Sequence, residues 1–136
     1  MNIEYDISFK SKNSKILIKD INVNPSRIGI VNILKKMGGL VKITNKRKYK
    51  GEIIGDIFAK STKNLRAINC PTNLNSSAID EFLIIFLVAA KSKGISFFKD
   101  ISELNQKESP RLIWGSKILN LIGIKNILTK DSIKIY

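Results

Sequence analysis

Histidine is absent from this 136-residue sequence, and cysteine and tryptophan each occur once. With Cys70 alone and no His, the side chains for a Cys/His zinc site or a Cys–His nucleophile pair are missing, and no internal disulfide can form. No metal and no cofactor are expected, and Cys70 reads as a small apolar filler. Long apolar runs are also missing. The longest, Phe82 to Ala90, is about half the roughly 20 residues needed to cross a bilayer, and the N-terminus lacks the blocks of a signal peptide. The expectation is a soluble, cytoplasmic chain with no membrane partner, and the 43% apolar content suits one core of ordinary size.

Acidic residues are scarce too, 11 against 24 Lys and Arg, which leaves a net charge of +13. Such a balance suggests nucleic acid, since basic side chains displace counterions from phosphates. The make-up of the charge argues against a specific reader: 20 of the basic residues are Lys and only four Arg, beside 25 Ile and 13 Asn, as expected of an AT-rich coding sequence. The densest basic run, Lys46 to Lys50, contains one ring, Tyr49, so base stacking has little support. It reads as a solvated hairpin tip between two alternating segments. A basic nucleic-acid-binding module is the alternative reading, and any binding is expected to lack sequence specificity.

An internal repeat is present. ILIKDI (16–21) resembles ISFFKDI (95–101), and each is followed by a turn, a Pro-marked helix, a glycine and another apolar strand. In the first copy Asn24 and Pro25 suit the N-cap and first helical positions, Ile30, Val31, Leu34 and Met37 share a stripe, and Gly38 and Gly39 should end the helix. In the second, Ser109 and Pro110 suit the same capping parts, and Gly123 closes the helix. Its apolar face is expected at Ile113, Trp114, Ile118, Leu119 and Ile122. Arg27 and Arg111 then fall at equivalent first-turn positions. A helix over roughly 77–93, apolar nearly all round, precedes the second copy and should be buried all round. The expected division is one partial domain, 1–136, made of a clipped first unit (1–70) and a complete second unit (71–136). Because the clipped unit lacks a buried helix, Ile16, Ile18, Val31 and Leu34 are expected to be partly uncovered, favouring self-association.

Three stretches carry a resemblance to the 5-enolpyruvylshikimate-3-phosphate synthase family. NPSRIGIVNILKKMGG (24–39) is similar to that family's NPTRTG stretch, IDEFLIIFLVAAKSKG (79–94) to its IDE helix, and ELNQKESPR (103–111) to its ELRVKESDR signature. The motifs stand in family order at family spacing. The resemblance implies an α/β fold of repeated βαβαββ units, sheets outside and helices inside (an inside-out α/β barrel), of which this chain holds about one and a half. It also implies transfer of an enolpyruvyl group from phosphoenolpyruvate to the 5-hydroxyl of shikimate 3-phosphate, in aromatic amino acid biosynthesis, with these two small anions as partners.

By the same resemblance Asp80 matches the acid at the attacking hydroxyl and Glu108 the acid that moves protons at the enolpyruvyl methylene. Lys107 matches a contact to shikimate 3-phosphate, and Arg111 a guanidinium that grips phosphoenolpyruvate. The blander readings are helix N-terminal acids for Asp80 and Glu81, a solvated turn for Lys107 and Glu108, and a structural role for Arg27. Pro110 stands where the family usually has aspartate. The opposite domain and the later phosphoenolpyruvate-binding arginine and lysine are missing, so the isolated chain is expected to be inactive, a fragment or a structural remnant.

Overall fold

The computed structural model describes residues 14–106 and 108–136 as a mixed α/β arrangement with two three-stranded antiparallel sheets. The first sheet holds β1 (Lys15–Asn22), β2 (Leu40–Tyr49) and β3 (Glu52–Lys60) in the order β1-β3-β2. The second holds β4 (Ser96–Phe98), β5 (Asn126–Leu128) and β6 (Ile133–Ile135) in the order β4-β6-β5. Both copies of the repeat therefore build the same strand order. Parallel bridges from Arg66 to Lys93 and from Asn69 to Phe97 bring the chain before the helices alongside the second copy.

The KDI tripeptide does the same backbone work twice. Asp20 and Asp100 both take left-handed conformations, φ 60° and 57°, a region that Asp tolerates better than most side chains. In the first sheet Asp20 marks a shift of register in β1, and Asn45 (φ 53°) marks one in β2. Asp56 of β3 serves both: its carboxylate accepts the Asp20 N–H at 3.1 Å and the Asn45 amide at 3.3 Å, while Arg47 pairs with Asp20 and lies 3.8 Å from Asp56. The Asp20 hydrogen bond, helped by Asn45 and Arg47 and opposed by burial, holds the Asp56 carboxyl below the usual aspartate range.

The hairpin tip is tighter than expected. KRKY lies within β2, and the turn is Lys50–Gly51, both at positive φ, as a two-residue hairpin loop requires.

α1 (Gly29–Lys36) begins later than the expected cap at Asn24. Pro25–Arg27 forms a 3-10 turn first, and the Asn24 side chain is engaged elsewhere, donating to Glu52 and accepting the Ile53 N–H at 3.3 Å. The helix ends as foreseen at Gly38, φ 87°. The expected helix over 77–93 is broken into a 3-10 turn at Thr72–Leu74, α2 (Asn75–Ala78), a second 3-10 turn at Ile79–Glu81 and α3 (Phe82–Ala90). By length and composition alone, 72–90 could cross a bilayer. It serves here as a core helix. Phe82, Ile85, Phe86, Val88 and Ala89 are buried, and Leu83, Ile84 and Leu87 are half-buried rather than fully enclosed. Phe82 and Phe86 meet Phe98 of β4 in a three-ring cluster with centroids 5.4–6.0 Å apart.

α4 (Arg111–Leu121) faces the opposite way from its sequence reading. Leu112, Gly115, Ser116 and Leu119 are buried, whereas Ile113, Trp114 (53% exposed), Ile118 and Ile122 lie open to solvent beside Leu121 (86% exposed). Of the expected face only Leu119 turns inward. The reason is steric: a Cβ on Gly115 would stand 2.8 Å from the Phe86 ring, so this side of the helix approaches α3 more closely than a larger residue permits. On the first copy Ile16, Ile18 and Leu34 are partly uncovered as expected while Val31 is buried, and α4 adds an uncovered apolar face that was not expected.

A second close approach joins α1 to α2. A Cβ at Gly29 would lie 2.5 Å from the Ser77 carbonyl carbon and 2.6 Å from the Ala78 nitrogen, main-chain atoms that no rotamer change can move. Gly29→Ala is expected to lower stability by about 1–3 kcal/mol through overpacking, net of its better helix propensity. Urea unfolding of the two proteins checks this, and an unchanged midpoint would contradict it.

Candidate functional site

The candidate site lies where the turn before α3 meets the start of α4. Asp80 sits in the 3-10 turn Ile79–Glu81, whose backbone is fixed by the buried Ala78 on one side and Phe82 on the other. Arg111 is the first residue of α4. Its guanidinium donates to the Asp80 carboxylate at 3.4 Å across the helix–helix junction. The pair is open to water, with the Asp80 side chain 71% and the Arg111 side chain 32% exposed. An exposed pair of this kind contributes on the order of 0–1 kcal/mol, so an incoming oxyanion can compete for Arg111 at small cost.

The ELNQKESPR run earns its polarity at Asn105, a residue passed over in the sequence reading. The Asn105 side-chain oxygen accepts the N–H groups of Leu112 and Ile113 at 3.1 and 3.2 Å, capping α4 from seven residues upstream. Neither Ser109 nor Pro110 supplies a side-chain cap, although the Pro110 carbonyl accepts the Trp114 N–H at 3.0 Å. Pro110 stands at the N-cap, ahead of the N–H groups that the helix uses, and Arg111 lies against Asp80.

Glu108 stands exposed in the bend ahead of α4, with no ion-pair partner within 4 Å among the described residues. Lys107 lies outside the described residues. The structure thus joins Asp80 to Arg111 and leaves Glu108 on the adjoining loop.

Arg27 ends the 3-10 turn before α1 and falls one residue out of step with Arg111 when both are counted from the closing glycines, Gly38 and Gly123. It lines a cleft of about 350 Å³ that also touches Asp80 and Glu81. Glu81 is half-buried there. Burial, and then the negative charge of Asp80, push its carboxyl above the usual glutamate range, with Arg27 pulling the other way. Cys70 takes no part: it is buried, and burial raises its thiol to about 11, well outside the nucleophilic range.

Comparison with known proteins follows these motifs. Residues 11–136 match the family model described as EPSP synthase (3-phosphoshikimate 1-carboxyvinyltransferase). The chain is 41% identical over 120 residues to the 3-phosphoshikimate 1-carboxyvinyltransferase of Ruthia magnifica, covering 88% of this chain and 27% of that protein. Against the protein of the same name from Thermodesulfovibrio yellowstonii it is 38% identical over 122 residues, covering 90% and 28%. A solved EPSP synthase from Acinetobacter baumannii superposes with a TM-score of 0.89 at 32% identity, covering 95% of this chain and 29% of that one. The chain spans under a third of the length of the relatives it matches.

The Glu81 shift gives a test of the local electrostatics. Its pKa is raised in the folded chain, so ionising Glu81 costs stability as the pH climbs from the ordinary glutamate value, near 4.3, through the folded one. Removing the neighbouring charge with Asp80→Asn should lower the Glu81 midpoint, as read by carbon-detected NMR of its carboxyl. A midpoint that stays put would show that Asp80 does not act on Glu81.

Proposed function

Because the chain belongs to the EPSP synthase family and covers less than a third of its relatives' length, we propose that it forms part of one wall of an enolpyruvyl-transfer site. The substrates would be shikimate 3-phosphate and phosphoenolpyruvate, and the setting cytoplasmic. The observation that carries this reading is the Asp80–Arg111 contact, which pairs a base-type carboxylate with a planar cation at the meeting point of two motifs distant in sequence.

The chemistry assigned to each residue follows. Asp80 accepts the proton of the substrate's 5-hydroxyl as its oxygen bonds to the central carbon of phosphoenolpyruvate. Glu108 delivers a proton to the methylene carbon, giving a tetrahedral adduct. When the adduct expels phosphate, the carbon–oxygen bond to the phosphate breaks, the proton held by Asp80 passes to the leaving phosphate oxygen, and the methyl carbon returns a proton to Glu108, so both acids end as they began. Arg111 holds an oxyanion of phosphoenolpyruvate by its two-pronged fork, while the Asp80 carboxylate accepts from the hydroxyl. Lys107, next to Glu108 in the motif, contacts shikimate 3-phosphate.

We read the chain as a clipped first unit, 1–70, and a complete second unit, 71–136. The shared strand order of the two sheets supports the repeat, and the bare apolar face of α4 supports a missing neighbour. Stabilising charge on both sides of the adduct and excluding water require a facing wall. The isolated chain is therefore inactive, and a remainder of the enzyme, or self-association, would cover α4.

The assay is phosphate release from phosphoenolpyruvate in the presence of shikimate 3-phosphate. The chain alone should give none. Mixed with a polypeptide supplying the rest of a relative, it should give turnover that falls about 10²- to 10⁴-fold in Asp80→Ala or Glu108→Ala, the usual range for a lost acid or base. Turnover by the lone chain, or full activity in the variants after mixing, would overturn the assignment.

A further inference from the structure

We propose that the pole of the molecule where α1 and α3 end, opposite the candidate site, binds the phosphate backbone of double-stranded nucleic acid without reading its sequence. The proposal does not rest on the enolpyruvyl-transfer reading, which uses the end where the two helices begin.

α1 and α3 begin together and end together. Gly29, the first residue of α1, packs against Ser77 and Ala78, just ahead of Asp80 and α3. At the far end the Arg66 N–H donates to the carbonyl of Met37, the C-cap of α1, at 2.9 Å, and Arg66 is bridged to Lys93, just past α3. The nine residues of α3 put about 14 Å of helix between the two ends. β3 also finishes at this pole, where Lys60 lies opposite Leu40, the residue after the glycine pair that closes α1.

Six cations gather there: Lys35 and Lys36 in the last turn of α1, then Lys60, Lys63, Arg66 and Lys93. All six residues are exposed, and among the described residues none has a carboxylate within ion-pair distance. The sequence explains why, since no Asp or Glu occurs in 21–51, 57–79 or 82–99, the stretches that build the pole. Lys35 and Lys36 complement the negative end of the α1 dipole. Fold stability does not account for Lys60, which stands directly across from Lys15, a like-charge pair that is destabilising in an antiparallel sheet.

The matching ligand carries its own charge at close, regular intervals. Duplex nucleic acid presents one phosphate charge per roughly 1.7 Å of axis, and contact with it releases counterions. Five of the six cations are Lys, point charges that grip phosphates and carry no base code. The exposed rings among the described residues, Tyr49 and Trp114, lie elsewhere, at the hairpin tip and on α4. Unpaired bases would therefore find nothing to stack on, and an acidic bilayer would find no aromatic anchor. Both absences favour the duplex backbone.

The test is fluorescence anisotropy of a labelled DNA duplex of about 20 base pairs, titrated with the full chain between about 50 and 200 mM NaCl. With four to six of the cations on phosphates, log K should fall against log[NaCl] with a slope of about −4 to −5. Lys63→Ala with Arg66→Ala should flatten the slope by about 2 and weaken binding about tenfold or more at 0.1 M salt. Lys36→Gln with Lys63→Gln repeats the test without touching the Arg66 bridge, and urea unfolding verifies that each variant is folded. Lys46→Ala with Lys48→Ala removes the same net charge at the hairpin tip, about 25 Å away along β3, and should leave the slope unchanged. A single strand of the same length should bind more weakly. An equal loss from the hairpin variant, a slope shallower than about −2, a tenfold preference between duplexes of different sequence, tighter binding of the single strand, or binding to phosphatidylglycerol vesicles in place of the duplex would each overturn the proposal.

Discussion

The contact of Gly115 with the Phe86 ring sets the spacing on which the candidate site depends. Among the described residues no side-chain hydrogen bond or ion pair joins α3 to α4. What holds them is the buried side of α4, Leu112, Gly115, Ser116 and Leu119, with Gly115 close against Phe86 and Leu83 of α3. Asp80 precedes α3 and Arg111 opens α4, so the distance between the two charged groups is inherited from the distance between the helices. Since the ion pair is exposed and worth little by itself, it reports the packing and does not cause it. The Asn105 cap completes the arrangement by fixing where α4 begins.

The two sheets hang on this helical centre by different means. Near the second sheet, Phe98, Ile101, Ile133 and Ile135 are all buried and join the same core as α3 and α4. The first sheet lays Val41, Ile43, Ile57 and Ala59 against the core, and its opposite face carries Lys15, Leu17 and Lys42 in solvent. Its two irregularities are joined through Asp56, a charged group that is nearly enclosed and is satisfied by the Asp20 N–H, Asn45 and Arg47. Burying that carboxylate is tolerable because its oxygens have partners.

Much of this was readable in the sequence, for reasons that are local. The left-handed glycines after α1 and α4, the hairpin around Gly51 and the repeated KDI are decided by backbone sterics within a few residues. The Asp80 and Arg111 positions came from motif resemblance, and the fold brings them together. Other features depend on tertiary contacts that periodicity cannot register. α4 carries apolar residues on most of its circumference, and counting them selects Ile113, Trp114 and Ile118, whereas the inward side is chosen by the smallness of Gly115 and Ser116. Asn24 matches the statistics of an N-cap, yet its side chain is drawn to Glu52 and Ile53 of β3. Asn105 caps from a distance no local rule covers.

The central claim, that close α3–α4 packing positions the pair, is tested most directly by the crystal structure of Gly115→Val. A branched side chain cannot occupy the space beside the Phe86 ring, so the helices should separate, and the Asp80–Arg111 distance should grow from 3.4 Å to beyond ion-pair range. An unmoved α4 with the pair still in contact would contradict the account.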